Sequence, residues 1–220
     1  HEHIHDSAGQ SVLNRLLAGE PCALMTDAGT PAISDPGEDL VRLCAENGVE
    51  VRAIPGCCAA VNALAVSGLP TGRFTFEGFL TVNKKSRREH LNSLKGETRT
   101  MIFHEAPHKL RTTLNDLTEA FGPDRRISLC RELTKLHEEV LRFTLAEAVA
   151  YYEENAPKGE YVLVVAGAAP KTGAVVTLED GVAQVLALKE QGMRLKDAAK
   201  EVAEHTGLSK NELYAAALER

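Results

Sequence analysis

The residues most suited to chemistry lie in the loop Thr26-Asp27-Ala28-Gly29-Thr30-Pro31-Ala32-Ile33-Ser34-Asp35-Pro36-Gly37. It follows a short apolar run and precedes a helical pattern, and in open α/β sheets ligands collect beyond the carboxyl ends of strands. Gly29 and Gly37 permit close backbone approach or positive φ, and Pro31 and Pro36 stiffen the loop. Asp27 and Asp35 can accept hydrogen bonds from an amine or a hydroxyl. That chemistry suits a cationic, zwitterionic ligand better than a phosphate, and the loop matches neither the Walker P-loop nor G-x-G-x-x-G. A structural loop closed by an aspartate cap is the competing reading.

Pro55-Gly56-Cys57-Cys58-Ala59-Ala60 repeats the logic of strand, tight turn and helix start. A helix N-terminus offers free N–H groups to a carbonyl or carboxylate. No base is evident for a nucleophilic cysteine, so the pair reads as small apolar residues. His104-Glu105-Ala106-Pro107-His108 and Arg131-Glu132-Leu133-Thr134-Lys135-Leu136-His137-Glu138-Glu139 each end a strand. Mixed acids and bases there could move protons, with Glu105 or Glu132 as base and Arg131 or Lys135 as cation. Surface decoration is the alternative. His1, His3 and His5 alternate as on one strand face, beside Glu2 and Asp6, but read as an exposed chain start, so no metal is expected.

These residues need elements to hold them. Val12, Leu13, Leu16 and Leu17 have helical spacing. Strands are expected at 22–25 and 49–54, and helices around Leu40–Cys44 and at 58–66. After Gly68-Leu69-Pro70-Thr71-Gly72, strands are expected at 74–79, 100–104, 127–130, 140–144 and 161–166. Helices fall near 86–94, 108–121 and 145–153. The alternation predicts an α/β fold with mainly parallel strands, in two domains at 1–71 and 72–170. A loose stretch at 168–177 leads to a helical appendage, 171–220, with helices at 178–190, 195–205 and 209–218. Its helix–Gly–helix spacing is that of a helix-turn-helix.

The 220 residues are 44% apolar and 25% charged, an ordinary globular profile. No apolar run reaches the roughly 18 residues of a membrane span. Five cysteines, two adjacent, make a poor disulfide framework and suggest a reducing, cytoplasmic setting. A net charge of −6 argues against pervasive nucleic-acid binding. Lys84, Lys85, Arg87 and Arg88 form a local basic patch, either an RNA-docking site or a solvated loop.

Taken together, Asp27 to Gly37, Pro55-Gly56 with Ala59-Ala60, Phe103 to His108, Arg131 to Lys135 with Glu138-Glu139, Lys158-Gly159-Glu160-Tyr161, and Leu208 to Tyr214 resemble, in order, the tetrapyrrole methylase superfamily. The resemblance is to its branch that methylates a ribose 2′-hydroxyl of small-subunit ribosomal RNA, and it spans essentially the whole chain. It implies two α/β domains with S-adenosylmethionine in the cleft between them, and a homodimer acting on a cytidine of the small ribosomal subunit. The cofactor contacts it implies are Asp27, Ala28, Gly29, Thr30, Pro31, Ile33, Ser34, Asp35, Cys57, Cys58 and Ala59. No metal and no membrane are implied. Two departures stand out: Cys57-Cys58 replaces a usual Pro-Ser pair, and the family's first strand and Gly-Asn-rich loop precede the position where this chain begins. The opening His1-Glu2-His3 therefore reads as the interior of a longer protein. Rival readings are a corrin or porphyrin methylase, a non-catalytic RNA-binding module built on the helical tail, and an inactive fragment.

Overall fold

A computed structural model describes residues 2–169 and 177–219, with side chains from residue 8 onward. The chain divides into two compact units, His1–Ala168 and Ala169–Arg220. The loose stretch expected at 168–177 falls mostly on residues 170–176, outside the described residues.

The first unit is built on a five-stranded sheet in the order β1-β2-β5-β3-β4. The strands are β1 (Phe74–Phe79), β2 (Thr100–Glu105), β3 (Arg126–Arg131), β4 (Glu139–Thr144) and β5 (Tyr161–Val165). All five stand where the sequence pattern puts them, but the mainly parallel expectation is corrected. Only β1 and β2 pair in parallel; β5 runs antiparallel to both β2 and β3, and β3 is antiparallel to β4. The reversal follows from connection: β4 returns from β3 through residues 132–138, too short for a helical crossover.

Alternation decides which side chains meet which helices. Met101, Phe103, Ile127, Leu129, Leu163 and Val165 face a core shared with Leu91, Leu110, Leu114, Leu117 and Leu145. Those partners come from α4 (Lys84–Ser93), α5 (Leu110–Phe121) and α6 (Leu145–Glu154), the last opened by a Thr144–Glu147 capping box. On the other face Ile102, Cys130, Val162 and Val164 pack on Ala60, Ala63 and Leu64 of α3 (Ala59–Ser67). Small alanines let this helix lie close to the sheet. Its end is fixed by Gly68 at φ 76° and by Arg142, which donates to the carbonyls of Val66 (2.5 Å) and Ser67 (3.1 Å). A cation at a helix C-terminus suits the helix dipole.

The expected strands at 22–25 and 49–54 do not form among the described residues. Both stretches carry no ladder, and residues 20–25 and 50–57 are almost entirely exposed. A strand exists only where a neighbour completes its hydrogen bonds, which local apolar pattern cannot guarantee. The helix expected at Val12 to Leu17 extends back as α1 (Glu2–Leu17), which packs on α2 (Glu38–Glu46). Backbone at His3 and His5 is thus helical, not a strand; their side chains, and His1, lie outside the described residues.

The second unit contains α7 (Leu178–Glu190), α8 (Leu195–Thr206) and α9 (Lys210–Leu218), close to the expected spans. Val182, Val185, Ala198, Ala199, Val202, Leu213 and Ala217 form its core.

Strand β5 lies at the centre of the sheet, and Leu163 is fully buried on the helix-rich face. Leu163→Ala should therefore lower unfolding free energy by about 2–5 kcal/mol in urea denaturation. A loss below about 1 kcal/mol would contradict this packing.

Candidate active site

The register sets five strand ends side by side. Phe79 pairs with His104, Glu105 with Tyr161, and Arg131 with both Tyr161 and Glu139. The carboxyl ends of β1, β2 and β3 and the amino ends of β4 and β5 therefore share one rim. The C-terminus of α3 is tied to the opposite rim, where Thr100 donates to the Pro70 carbonyl (2.7 Å). This leaves the N-terminus of α3 at the chemically rich rim, and Cys58, Leu133 and Val140 each pack against the buried cluster beneath α3.

Two motifs far apart in sequence meet here. The Thr30 hydroxyl donates to the Cys57 carbonyl at 2.9 Å, joining the 26–37 loop to the turn that starts α3. The loop is held in an unusual conformation: Gly29 (φ 81°), Ala32 (66°), Ser34 (63°) and Gly37 (134°) all have positive φ. Ala32 and Ser34 each cost on the order of 1–3 kcal/mol in that region, and such strain concentrates at ligand-handling sites. Gly37, at φ 134°, holds a backbone conformation that residues with a Cβ rarely adopt, so glycine is favoured there. Asp27, Ala28, Gly29, Ile33 and Ser34 are exposed, while Thr30, Pro31 and Asp35 are half-buried. Cys58 precedes α3 without a side-chain cap, so the first N–H groups of the helix, beginning with Ala59, lack that partner. The place of the usual Pro-Ser pair is thus filled by cysteines that give the helix no cap.

Across the rim, the loop after β3 and the residues before β5 lock together. Glu132 (φ 51°) accepts from the Glu160 N–H (2.9 Å) and from Lys135 Nζ (3.0 Å), and Lys135 also reaches Glu160 Oε2 (2.8 Å). Gly159, at φ 76°, leaves room for this: a Cβ would lie 2.5 Å from Glu132 Cγ. The Glu160 N–H and then Lys135 hold the Glu132 carboxyl below its ordinary range. Glu160 and then Glu132 push the Lys135 ammonium up, so it stays charged near neutrality. Glu132 is therefore a weak proton acceptor and Lys135 a firm cation. Arg131 pairs with Glu139 at 3.2 Å.

Glu105 is not brought to the open rim. It shares the face of Met101 and Phe103, is 4% exposed, and accepts from the Ala106 N–H (2.8 Å) and the Thr113 hydroxyl. Thr113 in turn accepts from Arg87 Nη2 at 2.7 Å. The period of two puts its neighbour His104, expected with Glu105 to offer polar groups at the strand end, on the α3 face instead. Its ring meets the edges of Phe76 and Phe79 at 5.2 and 5.4 Å. Nε2 is buried without a partner among the described residues. Burial pushes the imidazole pKa down, and the carboxylates of Asp35 and Glu160 partly oppose it. Strand alternation puts the two residues on opposite faces, and the packing of α5 on one of them decides which turns inward.

Because the folded-state pKa of His104 is depressed, its neutral form stabilises the fold above its ordinary pKa, and this contribution is lost as pH falls below 6.5. NMR titration should place the His104 midpoint below 6.5, and His104→Gln should flatten the loss of stability between pH 7 and 5. A midpoint at or above 6.5 would contradict the buried setting.

Residues 1–149 match the family described as Tetrapyrrole (Corrin/Porphyrin) Methylases, and residues 176–220 match the RsmI C-terminal HTH domain. Proteins named ribosomal RNA small subunit methyltransferase I are similar along the whole chain. The one from Synechocystis sp. is 45% identical, covering 100% of this chain and 78% of its own length. Those from Escherichia coli O157:H7 and Pseudomonas aeruginosa are 41% and 44% identical, also covering 100% of this chain, and 77% and 78% of their own lengths. Among solved structures, the methyltransferase CobJ superposes with a TM-score of 0.54 at 22% identity, covering 75% of this chain and 72% of its own. Cobalt precorrin-4 methyltransferase CbiF gives 0.51 at 15% identity, covering 73% and 70%. These two likenesses speak for the fold alone. With a family match over most of its length and relatives above 40% identity across all of it, the chain belongs to the tetrapyrrole methylase family, alongside the small-subunit ribosomal RNA methyltransferases I.

Proposed function

We propose that this chain is an S-adenosylmethionine-dependent methyltransferase acting on small-subunit ribosomal RNA, with a cytidine ribose 2′-hydroxyl as acceptor. The observation that carries the reading is full-length similarity at 45% identity to a relative named for that RNA. A homodimer in the cytoplasm, engaging the small ribosomal subunit, completes the proposal.

The residues present fit such a cofactor. Backbone groups of Ala28, Gly29, Ile33 and Ser34 are exposed along the strained loop, and the uncapped start of α3 at Cys58 and Ala59 faces the same rim. Asp27 and Asp35 supply carboxylates for amine or hydroxyl donors, and Thr30, Pro31 and Cys57 hold the loop's shape. When bound, S-adenosylmethionine supplies a methyl group on a good sulfonium leaving group. The protein's part is alignment of acceptor oxygen and methyl, which supplies much of the acceleration in such displacements. Lys135 steadies the negative charge that grows on the acceptor oxygen. Glu132 and Glu160 hold Lys135 in place, and the hydroxyl proton passes to a carboxylate of this cluster or to water. Glu105, hydrogen-bonded within the fold, and Arg131, ion-paired with Glu139, serve as positioning residues.

The family name favours one rival, methylation of a tetrapyrrole ring carbon. Transfer of labelled methyl from S-adenosylmethionine to small ribosomal subunits, compared with uroporphyrinogen, separates the two. The proposal expects label in RNA at ribose; label only in the tetrapyrrole overturns it. Lys135→Met should lower kcat by about 10²–10³ while cofactor affinity changes little. With Glu132 ionised below its ordinary 4.5 and Lys135 charged above 10.5, the wild-type rate should be flat through neutral pH. A Lys135→Met enzyme with full turnover would remove this residue from the mechanism.

A further inference from the structure

A second site lies outside the rim chemistry. α4 and α5 flank an open cavity of about 810 Å³, floored by Leu91 and Arg87. Three of its cations are already neutralised: Arg87 by Asp116 (2.5 Å), Arg88 by Glu119 (3.4 Å) and Lys85 by Glu89 (4.0 Å). Lys84, Lys95 and Lys109 also line it and have no carboxylate partner among the described residues, and exposed His108 stands beside Lys109. In a chain of net charge −6, this concentration of unpaired positive charge runs against the overall balance.

We infer that this cavity is a docking groove for the sugar-phosphate backbone of RNA, distinct from the methyl-transfer rim; the inference rests on the RNA reading above. An extended polyanion fits better than a small ligand, because the groove is open and its unpaired cations are spread from Lys84 at the start of α4 to Lys95 just beyond its end. At 1.5 Å per residue the ten-residue helix is about 15 Å long, room for more than one backbone phosphate. Exposed Val82 adds an apolar surface for sugar or base at the mouth.

The groove begins at segments that leave the same sheet rim. Lys84 follows β1 by five residues and His108 follows β2 by three, so both leave the rim where His104 and Phe79 meet. Beneath it, Arg87, Thr113 and Glu105 are joined by hydrogen bonds reaching the Ala106 N–H. RNA held along α4 would be anchored beside the strand ends without occupying them.

The test compares wild-type protein with the triple variant Lys84→Ala, Lys95→Ala, Lys109→Ala and its charge-keeping counterpart with arginine at all three positions. Binding of purified small ribosomal subunits and of a fluorescent RNA hairpin is measured across a salt series, with S-adenosylmethionine titrated in parallel. The alanine variant should bind RNA at least about tenfold more weakly, and its log–log salt slope should fall by about 2–3. The arginine variant should bind as wild type does, and cofactor affinity should be equal in all three. RNA affinity and salt slope unchanged in the alanine variant would overturn the groove alone. Wild-type protein that binds cofactor but neither RNA probe would overturn it together with the RNA reading.

Discussion

The fold depends on where β5 inserts. All five of its residues are buried, and it hydrogen-bonds antiparallel to β2 on one side and β3 on the other. A fully buried strand has no solvent to satisfy a broken ladder, so its register is tightly specified. That register fixes Tyr161 opposite both Glu105 and Arg131, and so brings Glu160, Glu132 and His104 to one rim. It also sorts side chains between faces: Leu163 stacks in the layer with α5 while Val162 and Val164 meet α3.

Around this rigid frame the chain stores strain in two loops. Non-glycine residues with positive φ occur only at Ala32, Ser34, Glu132 and Thr134 among the described residues, all of them in the two loops that flank the rim. Such conformations persist only when their surroundings over-determine them. For Glu132 the surroundings are visible: the Glu160 N–H, the Lys135 ammonium and a glycine at 159 that leaves space. For Ala32 and Ser34 the restraints are two prolines, the Thr30–Cys57 bond and the close approach of Leu24 to Gly37. Both strained loops lie at the rim proposed to hold the ligand.

Much of this was legible in the sequence, and the failures share one physical cause. Strands such as Phe74–Phe79 and Tyr161–Val165 were readable because β-rich apolar runs are bounded by glycine and proline. The loop at 26–37 was readable because no ordinary turn needs two glycines, two prolines and two aspartates together. Pairing direction was not legible, since a run such as YVLVV reads alike in parallel and antiparallel ladders. Nor were the bare stretches at 22–25 and 49–54, whose apolar pattern says nothing of whether a neighbour is present. The side-chain direction of Glu105 is illegible for a related reason. His104 and Glu105 are equally polar, and only the sheet's orientation toward α5 decides that the glutamate turns inward to Thr113 while the histidine faces α3.

The strained loop, the start of α3 and the Glu132 cluster are proposed to form one binding surface at one rim. Amide hydrogen exchange of the protein, with and without saturating S-adenosylmethionine, is the measurement that bears on this. Slowed exchange is expected at residues 28–35, 57–61 and 132–135, with residues 178–218 unchanged. Unchanged exchange in all three segments, or protection confined to the C-terminal helices, would contradict it.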